Sequence, residues 1–369
     1  MKLLLFFTYK VSLNDWLSSG IFSREVLLYK KLSDQGVDVT FITYDSEDRN
    51  HELNKYGIKH IALYSNKNKK INNSILFSSI KFLIKNKKII KDSDFLKTNQ
   101  LSGSWLALLT KLVYRKPLYI RTGFDLLEFS IRNKKNSIKI LIYYLLTQIC
   151  LLYADAYSVT SESDKKILEN RFLTKKITIR PNWIEVDNSY ETIDNKIENF
   201  ISVGRLEKQK GFENFIISIK NSNINYDIYG DGSLKTTLLE TAKKNNVNLK
   251  IFDRVPNKTL LEIYKQYRFF INPSSFEGNP KALLEAMSRG CVVFASNIDN
   301  HQEIIEHGKN GFLFDFENNN FLEFFYEIKS DVKTLEGVSK NAYNYIFEHN
   351  SLQNYVIEEV KEYKKLLQN

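Results

Sequence analysis

Short apolar runs rich in β-branched and aromatic residues alternate with stretches of helical period along almost the whole chain. This rhythm constrains the fold more than any other feature. Residues 2–9, 37–44, 58–63, 95–98, 118–121 and 156–160 read as strands, and a second series follows at 200–203, 226–229, 249–252, 269–272 and 291–295. Between them, 23–34, 212–220, 234–245 and 258–266 place apolar side chains at helical spacing. A βαβα order calls for parallel sheets covered by helices on both faces, which is the α/β class. The polar segment 187–199 separates the two series and reads as a linker. A chain of 369 residues is long enough for two domains. We therefore expect one doubly wound, Rossmann-like domain over 1–187 and a second over 198–349. They would face each other across a cleft at the C-terminal ends of their sheets, where such folds bind ligands.

Composition narrows the class. Hydrophobic residues make up 43% and aromatic residues 13%, which excludes a disordered chain. Cys150 and Cys291 form neither a disulfide framework nor a zinc pattern, so a reducing, cytoplasmic compartment is expected. The apolar start at 2–9 is too short for a secretory leader, lacks a small-residue cleavage site, and reads as a buried first strand. The apolar stretch 138–153 is interrupted by Lys139 and Gln148 and falls short of the ~20 residues of a spanning helix, so a buried or interfacial helix is expected.

The net charge of +10 is unevenly placed. Residues 51–150 hold nineteen Lys/Arg against five Asp/Glu, a local balance of +14, and Lys67-Asn68-Lys69-Lys70, Lys85-Asn86-Lys87-Lys88 and Arg132-Asn133-Lys134-Lys135 are its densest points. Such charge is either solvated surface or a face that docks on anionic lipid, where each basic residue adds about 1 kcal/mol. No nucleic-acid-binding motif accompanies it, so nucleic acid is not an expected partner.

The most informative stretch runs from Pro273 to Gly290, Pro-Ser-Ser-Phe-Glu-Gly-Asn-Pro-Lys-Ala-Leu-Leu-Glu-Ala-Met-Ser-Arg-Gly, after the expected strand 269–272. Asn279 is a favoured N-cap residue and Pro280 suits the first helical position. A helix is expected to start there, with the free N–H groups of Lys281, Ala282 and Leu283 directed at a ligand and Gly278 allowing close backbone approach. Such a helix start binds anions, a diphosphate above all. Eight helical residues would separate Glu277 from Glu285 by about 12 Å, beyond the ~5–9.5 Å of a glycosidase carboxylate pair. The two are expected to grip different parts of one elongated ligand. A second piece, Gly204-Arg205-Leu206-Glu207-Lys208-Gln209-Lys210-Gly211, follows the strand 200–203 and offers Arg205 and Lys210 to a phosphate.

Gly204-Arg205-Leu206 with Lys210-Gly211, then Glu277-x7-Glu285 in Phe-Glu-Gly-Asn-Pro-Lys-Ala-Leu-Leu-Glu-Ala-Met, then residues 303–313, Glu-Ile-Ile-Glu-His-Gly-Lys-Asn-Gly-Phe-Leu, resemble glycosyltransferase family 4 in order and spacing. The resemblance covers residues 200–315 strongly and implies the GT-B fold. It implies that the residues matching Arg205 and Lys210 hold a donor diphosphate, that Glu277 contacts the transferred sugar's hydroxyls, and that Glu285 binds the nucleotide ribose. It makes Arg205, Lys210 and Glu277 the candidate catalytic residues, with donor binding by Gly204, Gly278, Asn279, Pro280, Lys281, Ala282, Leu283 and Glu285. It further implies a retaining transferase, without metal or other cofactor, that moves a sugar from a nucleotide-diphosphate sugar to an acceptor. Fixed cations and a helix start stabilise the charge that develops on a leaving diphosphate.

The N-terminal half carries weaker signals. Leu17-Ser18-Ser19-Gly20 stands where the family has a glycine-rich loop, with one glycine, Gly20, remaining. Arg121-Thr122-Gly123-Phe124-Asp125 follows the strand 118–121, and the histidine common among relatives near this point is absent. Arg121 and Asp125 are candidates for donor or acceptor contact, or else belong to a structural loop. By analogy with GT-B proteins the terminal helix 350–369 is expected to pack back on the first domain. Asp92-Ser93-Asp94 precedes a strand instead of following one and reads as a solvated turn; Gly230-Asp231-Gly232 lacks the third glycine of a dinucleotide fingerprint. The five histidines show no metal-ligand spacing, though His301 lies within the last motif region.

The expected activity is thus sugar transfer from a nucleotide sugar to a glycan or lipid-linked acceptor, in making a cell-surface polysaccharide such as lipopolysaccharide. The expected place is the cytoplasm, peripheral on the inner face of the plasma membrane if the basic region meets anionic lipid. A nucleotide-sugar epimerase, a phosphorylase-like enzyme on the same fold, and a non-catalytic sugar-nucleotide-binding protein are the alternatives.

Overall fold

Thirteen parallel strands fall into two sheets in the computed structural model, which describes residues 1–45, 50–63, 74–123, 126–132, 136–316 and 321–368. Contacts divide the chain into two compact units, Met1–Pro181 with Val356–Asn369, and Asn182–Tyr355. The first holds β1 (Lys2–Phe6), β2 (Asp38–Thr43), β3 (Ile58–Ala62), β4 (Phe95–Thr98), β5 (Leu118–Thr122), β6 (Ala156–Val159) and β7 (Ile177–Ile179), in the order β3-β2-β1-β4-β5-β6-β7. The second holds β8 (Ile197–Val203), β9 (Asn225–Tyr229), β10 (Asn248–Phe252), β11 (Tyr267–Asn272), β12 (Val292–Ser296) and β13 (Phe312–Phe314), in the order β10-β9-β8-β11-β12-β13.

Helices cover both faces, so even polar strand residues are enclosed: all five residues of β5 are buried, Arg121 and Thr122 among them. In the first unit Leu4, Phe6, Leu96 and Ile120 share one core with Leu83, Leu106, Cys150 and Leu151 from the helices on that face. The alternate residues serve the other face. Phe41 meets Tyr29 with ring centroids 5.0 Å apart, and Phe95 meets Tyr363 of the terminal helix at 4.7 Å. Lys97, one strand pitch from Phe95, is bound there to Glu359 and to the hydroxyl of Tyr363. In the second unit neighbouring β8 and β11 set Phe200 beside Phe269, stacked at 5.2 Å, and Phe325 closes on both rings.

The structure departs from the sequence reading in two places. β7 and β13 are edge strands of three residues each, too short to show a period. The segment read as a linker is packed against the second unit: Ile193 is fully buried, the Tyr190 hydroxyl donates to Ser339 Oγ at 3.1 Å, and Lys196 Nζ donates to the carbonyls of Arg289 and Gly290. Its polar residues are there as hydrogen-bond partners of the second unit, which composition alone does not reveal. The apolar stretch 138–153 forms the helix Ser137–Tyr153, and among the described residues no helix is long and apolar enough to cross a membrane. The basic runs at 67–70 and 133–135 lie outside the described residues.

Candidate active site

The strand order of the second unit reverses direction between β8 and β11. Loops leaving the C-terminal ends of two such neighbours diverge to opposite faces and open a ligand crevice between them. Residues 204–211 follow β8 and residues 273–280 follow β11.

Gly211 fixes how closely the two loops approach. Its φ of +63° lies in the left-handed region, and a Cβ there would stand 2.0 Å from the Pro273 carbonyl oxygen. The main chain of Ser275 donates to the Gln209 carbonyl at 2.9 Å, and Gln209 Nε2 donates to the Phe276 carbonyl at 2.9 Å. Laced in this way, the loops bring Lys210 Nζ to 2.5 Å from Glu277 Oε1. Gly204 leaves room for the lysine stem, since a Cβ there would meet Lys210 Cε at 3.3 Å. Ser274 Oγ lies 2.7 Å from both Glu277 Oε1 and Asn272 Oδ1, and its single proton goes to one of them at a time.

Glu277 is 9% exposed and Lys210 19%. Burial alone would raise the Glu277 carboxyl, but the charge and hydrogen bond of Lys210, with the Ser274 hydroxyl, hold it below the ordinary glutamate value. His301 stands behind this pair. Its Nδ1 is 2.7 Å from the Ser296 carbonyl oxygen, so Nδ1 carries the proton and Nε2 is an acceptor, buried and without a hydrogen-bond partner among the described residues. Burial favours the neutral ring and lowers its pKa against the opposing pull of Glu277.

Arg205 does not join this cluster. Its side chain is 57% exposed and rests on Glu207 at 3.0 Å. An exposed pair of that kind is held by at most about 1 kcal/mol, so the guanidinium is free to turn to a stronger anion.

The helix after β11 starts later than its sequence implies. It spans Lys281–Ser288, with Pro280 as N-cap and no side-chain cap. Asn279 is therefore not the cap: its Oδ1 accepts from the Asn182 main chain at 2.8 Å and its carbonyl from Asn182 Nδ2 at 2.6 Å. The Leu283 N–H is not free either, because it donates to the Pro280 carbonyl at 3.1 Å. Lys281 lays its ammonium over the Trp183 ring, 5.1 Å from the centroid. Glu277 sits outside the helix, so helical rise does not set its separation from Glu285, and the two carboxylates hold different partners. Glu285 is buried and accepts from Asn257 Nδ2 at 2.9 Å.

In the first unit Gly20 has a φ of +72° beyond a short helix, Leu13–Ser18. Arg121 is buried and its Nη2 donates to the carbonyls of Arg180 and Pro181 at 3.2 and 3.4 Å, which makes it a brace for that turn. Asp125 lies outside the described residues.

Sequence reasoning missed Ser274, Gln209 and Asn257. Ser274 and Gln209 lie inside the two motif loops, so their place next to Lys210 and Glu277 was the available signal. Asn257, at the first turn of the helix Asn257–Gln266, gave none.

Residues 185–345 match the sequence model of the family described as glycosyl transferases group 1. The chain is 28% identical over 205 residues to a capsular polysaccharide biosynthesis glycosyltransferase, CapH, of Staphylococcus aureus, covering 52% of this chain and 55% of that protein. It spans about half the length of the curated relatives it matches. Among solved structures, sucrose-phosphate synthase from Thermosynechococcus elongatus superposes with a TM-score of 0.79 at 15% identity, over 100% of this chain and 99% of that one. Anabaena HepE in complex with UDP-glucose gives 0.73 at 14%, over 99% and 100%. The fold is thus that of GT-B glycosyltransferases, two α/β Rossmann-like domains with parallel sheets.

Proposed function

We propose that this chain is a retaining glycosyltransferase of family 4 that takes a sugar from a nucleotide-diphosphate donor held by its second unit. The observation that carries the reading is the Lys210–Glu277 contact at the point where the strand order reverses, within the residues matched by the group 1 family. A bound donor would set its diphosphate against Lys210 and Arg205, with the Lys281–Ser288 helix start adding partial positive charge. Glu277 would then accept hydrogen bonds from the transferred sugar, and Glu285, held by Asn257, from the ribose.

In transfer the bond from the anomeric carbon to the phosphate oxygen breaks and an acceptor oxygen bonds to the same carbon on the same face. The acceptor's proton leaves with the nucleoside diphosphate. Lys210 and Arg205 stabilise the charge that grows on the departing oxygen. HepE binds UDP-glucose, and CapH serves capsule synthesis. Both support a nucleotide sugar as donor and a glycan or lipid-linked acceptor of a cell-surface polysaccharide. The basic balance of 51–150 supports cytoplasmic work at an anionic membrane face.

The test is a thermal-shift panel of UDP-glucose, UDP-N-acetylglucosamine and GDP-mannose. A donor at a hundred times its Kd should stabilise the fold by about 2.7 kcal/mol. Lys210→Ala should then lower acceptor-dependent release of nucleoside diphosphate by ~10²-fold. Unchanged release by that variant, or release without any acceptor, would reject the reading.

A further inference from the structure

The helix Ser137–Tyr153 is apolar on two sides. Its inner side joins the core of the first unit through Cys150 and Leu151, and Cys150 Sγ donates to Ser104 Oγ at 3.0 Å. Its outer side exposes Ile138, Leu141, Ile142, Leu145, Ile149 and Leu152, a spacing of i, i+3, i+4, i+7, i+11 and i+14 that forms one line along the helix. Two further helices of the same core layer also expose apolar side chains. Ser74–Lys85 exposes Phe77, Ile80 and Ile84, Ser104–Tyr114 exposes Leu112 and Val113, and the Tyr114 hydroxyl ties the two helices by donating to the Leu83 carbonyl at 2.6 Å. Of the twenty-eight exposed large apolar side chains among the described residues, fifteen fall between 77 and 153. Apolar surface gathered in this way signals a partner.

Charge identifies that partner. These three helices contain no Asp or Glu, and Lys81, Lys85 and Lys139 stand exposed beside the apolar side chains, with Lys87 and Lys88 next to them. A second copy laid face to face would press these lysines against one another along an apolar seam. An anionic bilayer takes up both chemistries, apolar side chains below its headgroups and ammonium groups at its phosphates.

We propose that the outer face of the Ser137–Tyr153 helix, with these two helices of the same layer, inserts into the headgroup–acyl boundary of an anionic membrane and anchors the first unit there. This rests on the peripheral-membrane part of the proposed function and names the surface that makes contact. It is tested by pelleting the full chain with phosphatidylcholine vesicles containing about a third phosphatidylglycerol, at low salt and at about 0.5 M, where charge is screened. The wild type should bind and stay partly bound at high salt. Leu141→Asn with Leu145→Asn should bind at least about tenfold more weakly, with its urea midpoint unchanged because both side chains are exposed. Equal binding by the two proteins, lost in both at high salt, would overturn the insertion while leaving charge-driven attachment standing. No binding by the wild type would overturn both. A wild-type dimer that the double variant splits into monomers would assign the face to a second copy and overturn the insertion.

Discussion

Lys210 and Glu277 stand 67 residues apart in the chain and 2.5 Å apart at Nζ and Oε1. Both are mostly buried, so each depends on the other for a charge partner. Lys210→Met leaves the Glu277 carboxylate with only the Ser274 hydroxyl, and should cost about 1–3 kcal/mol in urea unfolding. The pair Lys210→Met with Glu277→Gln should recover part of that loss, because no buried charge is then stranded. A double variant as unstable as the sum of the singles would mean the two do not interact.

The same contact sets an acid dependence. Glu277 titrates below the ordinary glutamate range, which in the unfolded chain lies near ~4.3. A carboxyl depressed by folding contributes stability that is fully present above the unfolded value and is lost as pH falls through the folded one. The stability gap between wild type and Glu277→Gln should therefore be constant from neutral pH down to about 5 and narrow below ~4. Urea midpoints measured across that range check it; a gap that widens in acid would contradict the depressed carboxyl.

Gly211 is where local backbone geometry decides the site. Its left-handed φ and the 2.0 Å that a Cβ would leave to the Pro273 oxygen make Gly211→Ala doubly costly. The strain should lower stability by about 1–3 kcal/mol. It should also displace Lys210 from Glu277, so turnover should fall more than the loss of folded protein explains. Turnover per folded molecule equal to wild type would show that the loop contact does not place the lysine.

Much of this was legible beforehand, and the residues explain the limits. β1, the second half of β8 and β11 are buried on both faces, so residues 3–6, 200–203 and 269–271 read as apolar runs whatever their neighbours. The three-residue edge strands β7 and β13 leave no such trace. In the site, the motif loops marked Lys210 and Glu277, yet nothing in the sequence says that Arg205 rests on Glu207 instead. Asn279 and Pro280 carry strong capping preferences, and here a tertiary partner overrides them: Asn182 takes the asparagine side chain, and the helix starts one residue later, after Pro280. Propensity ranks local choices only, and Asn182 lies 97 residues away.

Asn257 should act through Glu285. Its amide holds a buried carboxylate by one 2.9 Å bond. If that carboxylate binds the ribose, Asn257→Ala should raise the donor KM several-fold, about 1 kcal/mol for one hydrogen bond, while kcat changes little. A fall in kcat at constant KM would place Glu285 in the transfer step instead of in donor binding.

The terminal helix offers the sharpest test of the first unit. Lys97 and Glu359 are fully buried and bound to each other, with the Tyr363 hydroxyl donating to Glu359 Oε1 at 2.9 Å and Arg180 at 3.7 Å. Burial lowers the Lys97 pKa even with Glu359 opposing it, and burial's upward push on Glu359 is overcome by Lys97 and Arg180. Glu359→Ala removes the counter-charge and strands an ammonium, which should cost about 3–5 kcal/mol at neutral pH. A stranded lysine binds its proton less readily folded than unfolded, so the unfolded chain holds more protons and stability rises with pH. The variant should accordingly regain stability between about pH 7 and 10. Lys97→Met with Glu359→Gln should restore most of the loss at neutral pH, since a neutral pair leaves the Tyr363 hydroxyl an acceptor and strands no ammonium, while Arg180 keeps Glu358 and Glu362. Urea midpoints for the three proteins across this pH range decide the matter: a single variant as stable as wild type, or a double variant no better than the single, would show that the buried pair does not hold the helix in place.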